Sequence, residues 1–326
     1  MKQKTVIQLL VVLFIAMMFT KTDAIYTTKA KEDVKRVVVL KQLDHASLDE
    51  IASGIQEGIL ELGEGRFDVV VESGQNDPAI MKQIVEDEIQ NEADVFVPIG
   101  TLAAQITVSS TNKHQLPVVY AAISDPQAAD LTNIDHVSGT SDAIDVQKMI
   151  DLMLVQNPNM KKVGLLYSLS ETNSTKAIET ANKLFNELGV EIFEATANTN
   201  DEIASAVSLL TQDGVDCVFT PTDNVIMNHA VLVGDMFKKA HIPFYAGADS
   251  FVIKGAFATC GINYQDLAYD TSRLVIRAID DGIDTLDDVY QVESNNIVIN
   301  KETSAELGID PKCFETLGTI HLVEDK

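Results

Sequence analysis

Two stretches of this chain follow one plan about 126 residues apart, and this constrains the fold more than any other feature. Gly189 lies 126 positions after Gly63, each closing a Glu-Leu-Gly triplet, and Pro243 lies 126 positions after Pro117. Between these landmarks the same order of elements recurs. Arg36–Leu40 and Lys162–Tyr167 are apolar throughout, as strands are when helices cover both faces of a parallel sheet. Helices are predicted next, over Leu48–Leu62 and Ser174–Leu188. Ile51, Ile55, Ile59 and Leu62 share one face of the first, and Ala177, Ala181, Leu184 and Leu188 one face of the second. Gly63 and Gly189 are expected to end them in the left-handed conformation.

The correspondence continues through second strands (Phe67–Glu72, Val190–Glu194) and second helices (Asp77–Gln90, Asp201–Thr211). It extends to third strands (Asp94–Pro98, Asp216–Pro221) and fourth strands (Leu116–Tyr120, Ile242–Tyr245). Chance supplies one such match, not four in order. The fold class is therefore α/β, with two doubly wound parallel-sheet lobes joined by hinge crossovers. The boundary falls near Gly139–Asp142.

The N-terminus sets the compartment. A basic Met1–Lys4 precedes an apolar run from Val6 to Phe19, short for the roughly 20 residues of a membrane span, and then Thr22-Asp23-Ala24. Residues 1–24 read as a signal peptide or an N-terminal anchor, and residues 25–33 as a tether. Either reading puts the rest outside the cytoplasm. A net charge of −25 opposes a phosphate backbone, so nucleic acid is not an expected partner. Cys217, Cys260 and Cys313 have no metal or redox spacing. Cys217 and Cys260, in apolar strand-like runs, read as buried thiols, with one disulfide between two of the three as the alternative.

Open parallel sheets bind ligands where strands run into helix N-termini. Six such loops arise: Gln42–Ser47, Gly100–Ala103, Ile123–Pro126, Ser168–Ser174, Pro221–Asn224 and Gly247–Ser250. They carry Ser, Thr, Asn, Asp and Gly without a basic cluster, which suits a small zwitterion. Backbone N–H groups near Thr101, Leu102 and Ala103 can hold a carboxylate. Asp125, Asp223 and Asp249 are the candidates for an ammonium group. Thr101 and Ser174 also read as helix caps, and Asp125 as a turn former before Pro126. Tyr120, Tyr167, Tyr245 and Phe251 fall near the same strand ends, as core or as flanks of an apolar ligand group. No HExxH, P-loop, GxGxxG after the first strand or GxSxG is present, so an enzyme is not expected.

At these loops the chain resembles a family of ABC-transporter substrate-binding proteins that includes tryptophan/phenylalanine-type uptake proteins with a type I periplasmic-binding fold. The resemblance rests on Leu43–Asp49, Gly100–Gln105, Val119–Pro126, Leu166–Ser174, Pro221–Asn224 and Ala246–Ser250. It implies a two-lobed clamp with lobe 1 formed by 34–141 plus 262–290 and lobe 2 by 142–261 plus 291–326. Tyr264–Asp281 would return to lobe 1 as a helix, and Asn296–Ile309 would go back to lobe 2. It implies an amino-acid ligand, aromatic favoured, and an ABC permease with its ATPase as partners. No cofactor or metal is implied, and the working unit is expected to be a monomer. The expected ligand-binding set is His45, Ser47, Thr101, Leu102, Ala103, Ser124, Asp125, Tyr167, Thr172, Asn173, Ser174, Thr222, Asp223, Asn224, Asp249 and Ser250. Two departures stand out: no lipid-attachment cysteine follows the apolar run, and Ser168 stands where the family often has Asn. A LacI-like regulator shares the fold but would need a DNA-binding headpiece where this chain has an export segment. A binding protein that presents its closed form to a receptor remains the alternative to transport.

Overall fold

The structure is a computed structural model that describes residues 34–292 and 296–325; the expected signal peptide or anchor and the expected tether lie outside them. The first sheet contains β1 (Lys35–Lys41), β2 (Phe67–Ser73), β3 (Val95–Ile99), β4 (Val118–Tyr120), β5 (Val137–Ser141) and β11 (Tyr290–Gln291). Their order is β11-β5-β4-β3-β1-β2, and all pairings are parallel. The second sheet has the order β13-β12-β10-β9-β8-β6-β7. It is built from β6 (Lys162–Tyr167), β7 (Glu191–Thr196), β8 (Cys217–Thr220), β9 (Phe244–Ala246), β10 (Ala258–Thr259), β12 (Asn296–Asn300) and β13 (Thr319–Val323). Its one antiparallel pairing joins β10 to β12.

Alternation along β1 shows why its apolar run is continuous. Val37 and Val39 pack with Ile51 and Ile55 of helix α1 (Ala46–Leu62). Val38 and Leu40 pack with Met81 and Val85 of α2 (Pro78–Gln90) and Ala104 of α3 (Thr101–Thr111). All four strand residues are fully buried, as expected of a sheet covered on both faces. The second sheet repeats this. Val163 and Leu165 face α4 (Val146–Gln156) and α5 (Thr172–Leu188). Leu166 and Val218 lie in the cluster with α6 (Ile203–Asp213), α7 (Asn224–Met227) and α8 (Ala230–Lys239).

The chain passes between the sheets three times, after β5, after β10 and after β11. The second passage is preceded by the short α9 (Asp249–Ile253) and leads into α10 (Tyr264–Arg277), which lies against α1. Close approach is possible there because Gly54 and Gly58 have no Cβ: one on Gly54 would sit 2.7 Å from the Ala268 Cβ, and one on Gly58 2.5 Å from Ser272 Oγ. α11 (Lys301–Leu307) follows β12.

The two Glu-Leu-Gly helix ends differ. Gly189 adopts the expected left-handed conformation (φ 70°). Gly63 is right-handed (φ −86°). Positive φ occurs instead at Glu64 and Gly65. Gly63 is needed for space, since a Cβ there would lie 2.2 Å from the Phe67 ring.

Candidate ligand-binding site

In each sheet the strand order reverses at one point, beside β1 in the first and β6 in the second. A crevice opens at the carboxyl ends of the strands at such switch points. The loops after β1, β3, β6 and β8 therefore converge, and one pocket is lined from both lobes.

From the first lobe, His45 caps α1: its Nδ1 accepts from the Leu48 N–H at 3.4 Å. That leaves Nε2–H to donate to Asn224 Oδ1 in the second lobe at 2.9 Å. Asn224 Nδ2 in turn donates to Glu171 Oε2 at 2.7 Å. Burial holds the imidazole below its ordinary range. Burial, and then the neighbouring Asp223, push the Glu171 carboxyl up to about 7. Gly100 precedes α3 with φ 95°, and no side chain of its own caps that helix. Gln42 Oε1 reaches over and accepts from the Leu102 N–H at 3.1 Å.

Asp142, just past β5, is buried in the pocket. Its Oδ1 accepts from Ser124 Oγ at 2.7 Å, and its Oδ2 from the Tyr264 hydroxyl at 3.3 Å. Burial raises its pKa, while those two hydrogen bonds oppose the rise. Leu48, Met227 and Phe251 supply an apolar wall. Ser47 Oγ meets Ser250 Oγ at 2.7 Å, and Ser124 Oγ meets Thr222 Oγ1 at 3.1 Å, both between lobes. The lobes are pressed together around a cavity of about 20 Å³, far below the few hundred Å³ of an open small-molecule site.

Residues 36–312 match the family described as ABC transporter substrate binding protein. The chain belongs to that family. Its members bind solutes for ABC transporters and are not enzymes. Among curated relatives, the tyrosine-binding protein of Clostridioides difficile is 27% identical over 277 residues, 82% of this chain and 79% of that one. A Streptococcus pneumoniae ABC domain in complex with L-Trp is 30% identical with a TM-score of 0.79, covering 88% of this chain and 99% of that one. The ligand-free, open substrate-binding protein with adhesive properties from Clostridium difficile overlaps less well. Its TM-score is 0.69 at 26% identity, over 90% of this chain and all of that one.

Eight residues expected at the site of this substrate-binding protein line the pocket: His45, Ser47, Thr101, Ser124, Asn173, Thr222, Asp223 and Asn224. Ser250 touches Ser47 beside it. The others are placed elsewhere. Ala103 is core and Leu102 half-buried. Thr172 is exposed. Asp125 accepts from the Ala128 N–H in its own turn. Tyr167 donates to Glu194 Oε2 on the flank of β6 and β7. Ser174 is buried and donates to Asp223 Oδ2.

Of the aspartates proposed for an ammonium, Asp223 has both oxygens engaged within its own lobe. Oδ2 accepts from Ser168 N–H and Ser174 Oγ, and Oδ1 from Ile226 N–H as the cap of α7. Asp249 lines a different hollow. Asp142 and Tyr264 are the polar pocket residues that sequence reasoning passed over, alongside the apolar Leu48, Ala122 and Met227. Tyr120 and Tyr245, open between core and flank, are both core, whereas Phe251 is in the pocket wall.

The described residues hold no group of three or more His, Cys, Asp or Glu side chains placed for a metal ion. The three cysteines are unbridged. No helix among the described residues is long and apolar enough to cross a membrane.

Proposed function

We propose that this substrate-binding protein works outside the cytoplasm, captures an aromatic amino acid between its lobes and hands it to an ABC permease for import. The observation that carries the reading is Asp142. It is a buried carboxylate in the pocket, held by one hydroxyl from Ser124 and one from Tyr264. A carboxylate accepts about four hydrogen bonds, so this one has capacity for an ammonium group. An arriving cation favours its charged form against the burial that raises its pKa. The start of α3 at Thr101, with the hydroxyls of Thr222 and Ser47, suits the ligand carboxylate. Leu48, Met227 and Phe251 suit its ring, and a thioether against an aromatic face is a favourable contact. The tyrosine-binding relative and the L-Trp-bound neighbour support the same class.

In this mechanism the ligand settles on one lobe, and closure adds the contacts of the other. Calorimetric titration with the common amino acids tests it. L-tyrosine, L-tryptophan or L-phenylalanine is expected to bind tightest. Asp142→Asn is expected to weaken that binding at least tenfold, about 1.4 kcal/mol. An aliphatic amino acid or a sugar binding more tightly would overturn the aromatic assignment. Unchanged affinity in Asp142→Asn would remove the ammonium anchor.

A further inference from the structure

The contact between His45 and Asn224 joins the lobes, and its direction is fixed at both ends. At the first-lobe end, His45 Nδ1 accepts from the Leu48 N–H at 3.4 Å. A neutral imidazole whose Nδ1 accepts carries its proton on Nε2. The nitrogen turned to the second lobe, 2.9 Å from Asn224 Oδ1, is therefore a donor. At the other end, Asn224 Nδ2 donates to Glu171 Oε2 at 2.7 Å. Glu171 is buried, and its carboxylate can only accept. A flipped amide would set the Asn224 oxygen against that carboxylate. The first lobe thus presents an N–H to the cleft, and the second lobe a carbonyl oxygen.

Both groups stand beside the apolar wall of the pocket. Leu48 follows His45 by three residues at the start of α1, and Met227 follows Asn224 by three residues in α7. At that helical spacing two side chains are neighbours. His45 and Met227 also line the hollow outside the cleft, together with Asp44 and Leu232. Asp142 is not among the residues of that hollow. The pair marks the outer end of the wall, and Asp142 the inner end.

We propose that His45 and Asn224 read a hydroxyl at the far end of the ligand ring, so that the site prefers a phenol to an unsubstituted ring. Glu171 is the positioning residue that turns the Asn224 oxygen toward that hydroxyl. A ring lodged between Leu48 and Met227 holds the two helix starts apart, and His45 and Asn224 no longer reach each other. A hydroxyl between them accepts from Nε2–H and donates to Oδ1, which satisfies both. An indole N–H pairs with Asn224 alone. An unsubstituted ring pairs with neither, and a buried polar group left without a partner counts against the ligand that leaves it so.

This proposal rests on the cleft being an aromatic amino-acid site. It is tested by calorimetry at pH 8, where Glu171, pushed up to about 7 by burial and then by Asp223, is ionised. L-tyrosine is expected to bind at least about tenfold tighter than L-phenylalanine, with L-tryptophan between them. L-phenylalanine or L-tryptophan binding as tightly as L-tyrosine overturns the proposal and leaves the aromatic reading standing. No binding by any of the three overturns both. Glu171→Ala is expected to erase most of the preference by weakening L-tyrosine alone. Glu171→Gln, which can still accept from Asn224, is expected to keep more of it. Equal weakening of L-tyrosine and L-phenylalanine in Glu171→Ala would overturn the positioning role. Long-range proton–nitrogen NMR on the ligand-free wild type needs neither ligand nor variant. His45 is expected as the Nε2–H tautomer, and an Nδ1–H tautomer overturns the proposal.

Discussion

Asp142, Asp223 and Tyr245 show how position in the packing decides what a side chain does. Asp223 and Asp142 are both buried aspartates lining one pocket. The first is occupied in holding its own loop together, with three donors from Ser168, Ser174 and Ile226. The second takes two hydroxyl groups drawn from two separate segments. Asp223→Ala therefore should act on stability as well as on binding. It removes a helix cap, about 1 kcal/mol, and leaves the buried Ser168 N–H without its acceptor. Tyr245 is a simpler case. Its ring packs edge-on against Phe257 at 5.4 Å, and its hydroxyl is buried with no hydrogen-bond partner. An unsatisfied buried hydroxyl costs about 1–3 kcal/mol. Tyr245→Phe is expected to leave ligand affinity unchanged and to raise the melting temperature. A lower melting temperature would mean that the hydroxyl has a stabilising role.

Elements copied by the repeat need not do the same work for the same reason. The two Glu-Leu-Gly ends read alike, yet Gly189 serves its left-handed φ with nothing within 4 Å of a Cβ. Gly63 serves the approach of Phe67 and the Ile59 carbonyl, 2.2 and 2.6 Å from where a Cβ would be. Gly189→Ala should cost about 1 kcal/mol through strain alone. Gly63→Ala should cost more, because an aromatic ring and backbone must shift. Denaturant unfolding of both variants checks the order, and equal losses would refute it. The same elements show what was legible. The parallel strands, lobe duplication and five of the six cleft loops followed from apolar runs and capping residues, which are local properties. Asp142 was not legible because it follows β5 at a passage between lobes and precedes no predicted binding loop. Tyr264 was missed for a related reason. It joins the site only because α10 docks on α1, and that packing brings together residues more than 200 positions apart. Asp249 was read as a cleft residue from its strand end alone, whereas the turn into α9 leaves it lining the neighbouring hollow.

At the scale of the whole molecule, the lobes meet over an interface that is itself part of the core. A single buried cluster runs from Val37 and Ile55 of the first lobe to Val207 and Phe237 of the second. Direct contacts tie the rim: His45 to Asn224, Ser47 to Ser250, and Ser124 to Thr222. The cavity of about 20 Å³ between them is far below the few hundred Å³ of a small-molecule site, so in the proposed capture the lobes part and these direct contacts are exchanged for contacts through the ligand. The lower overlap with the open relative agrees with a shut clamp. A reversible lock tests the exchange. The Ser47 and Ser250 oxygens are 2.7 Å apart, close to the span of a disulfide, whose sulfurs bond at about 2.05 Å. A Ser47→Cys, Ser250→Cys double variant is expected to lose amino-acid binding when oxidised and to recover it on reduction, read by calorimetry. The single variants should bind under both conditions. If the oxidised double variant binds as fast and as tightly as the reduced one, the ligand reaches its site without the lobes parting, and the clamp mechanism fails.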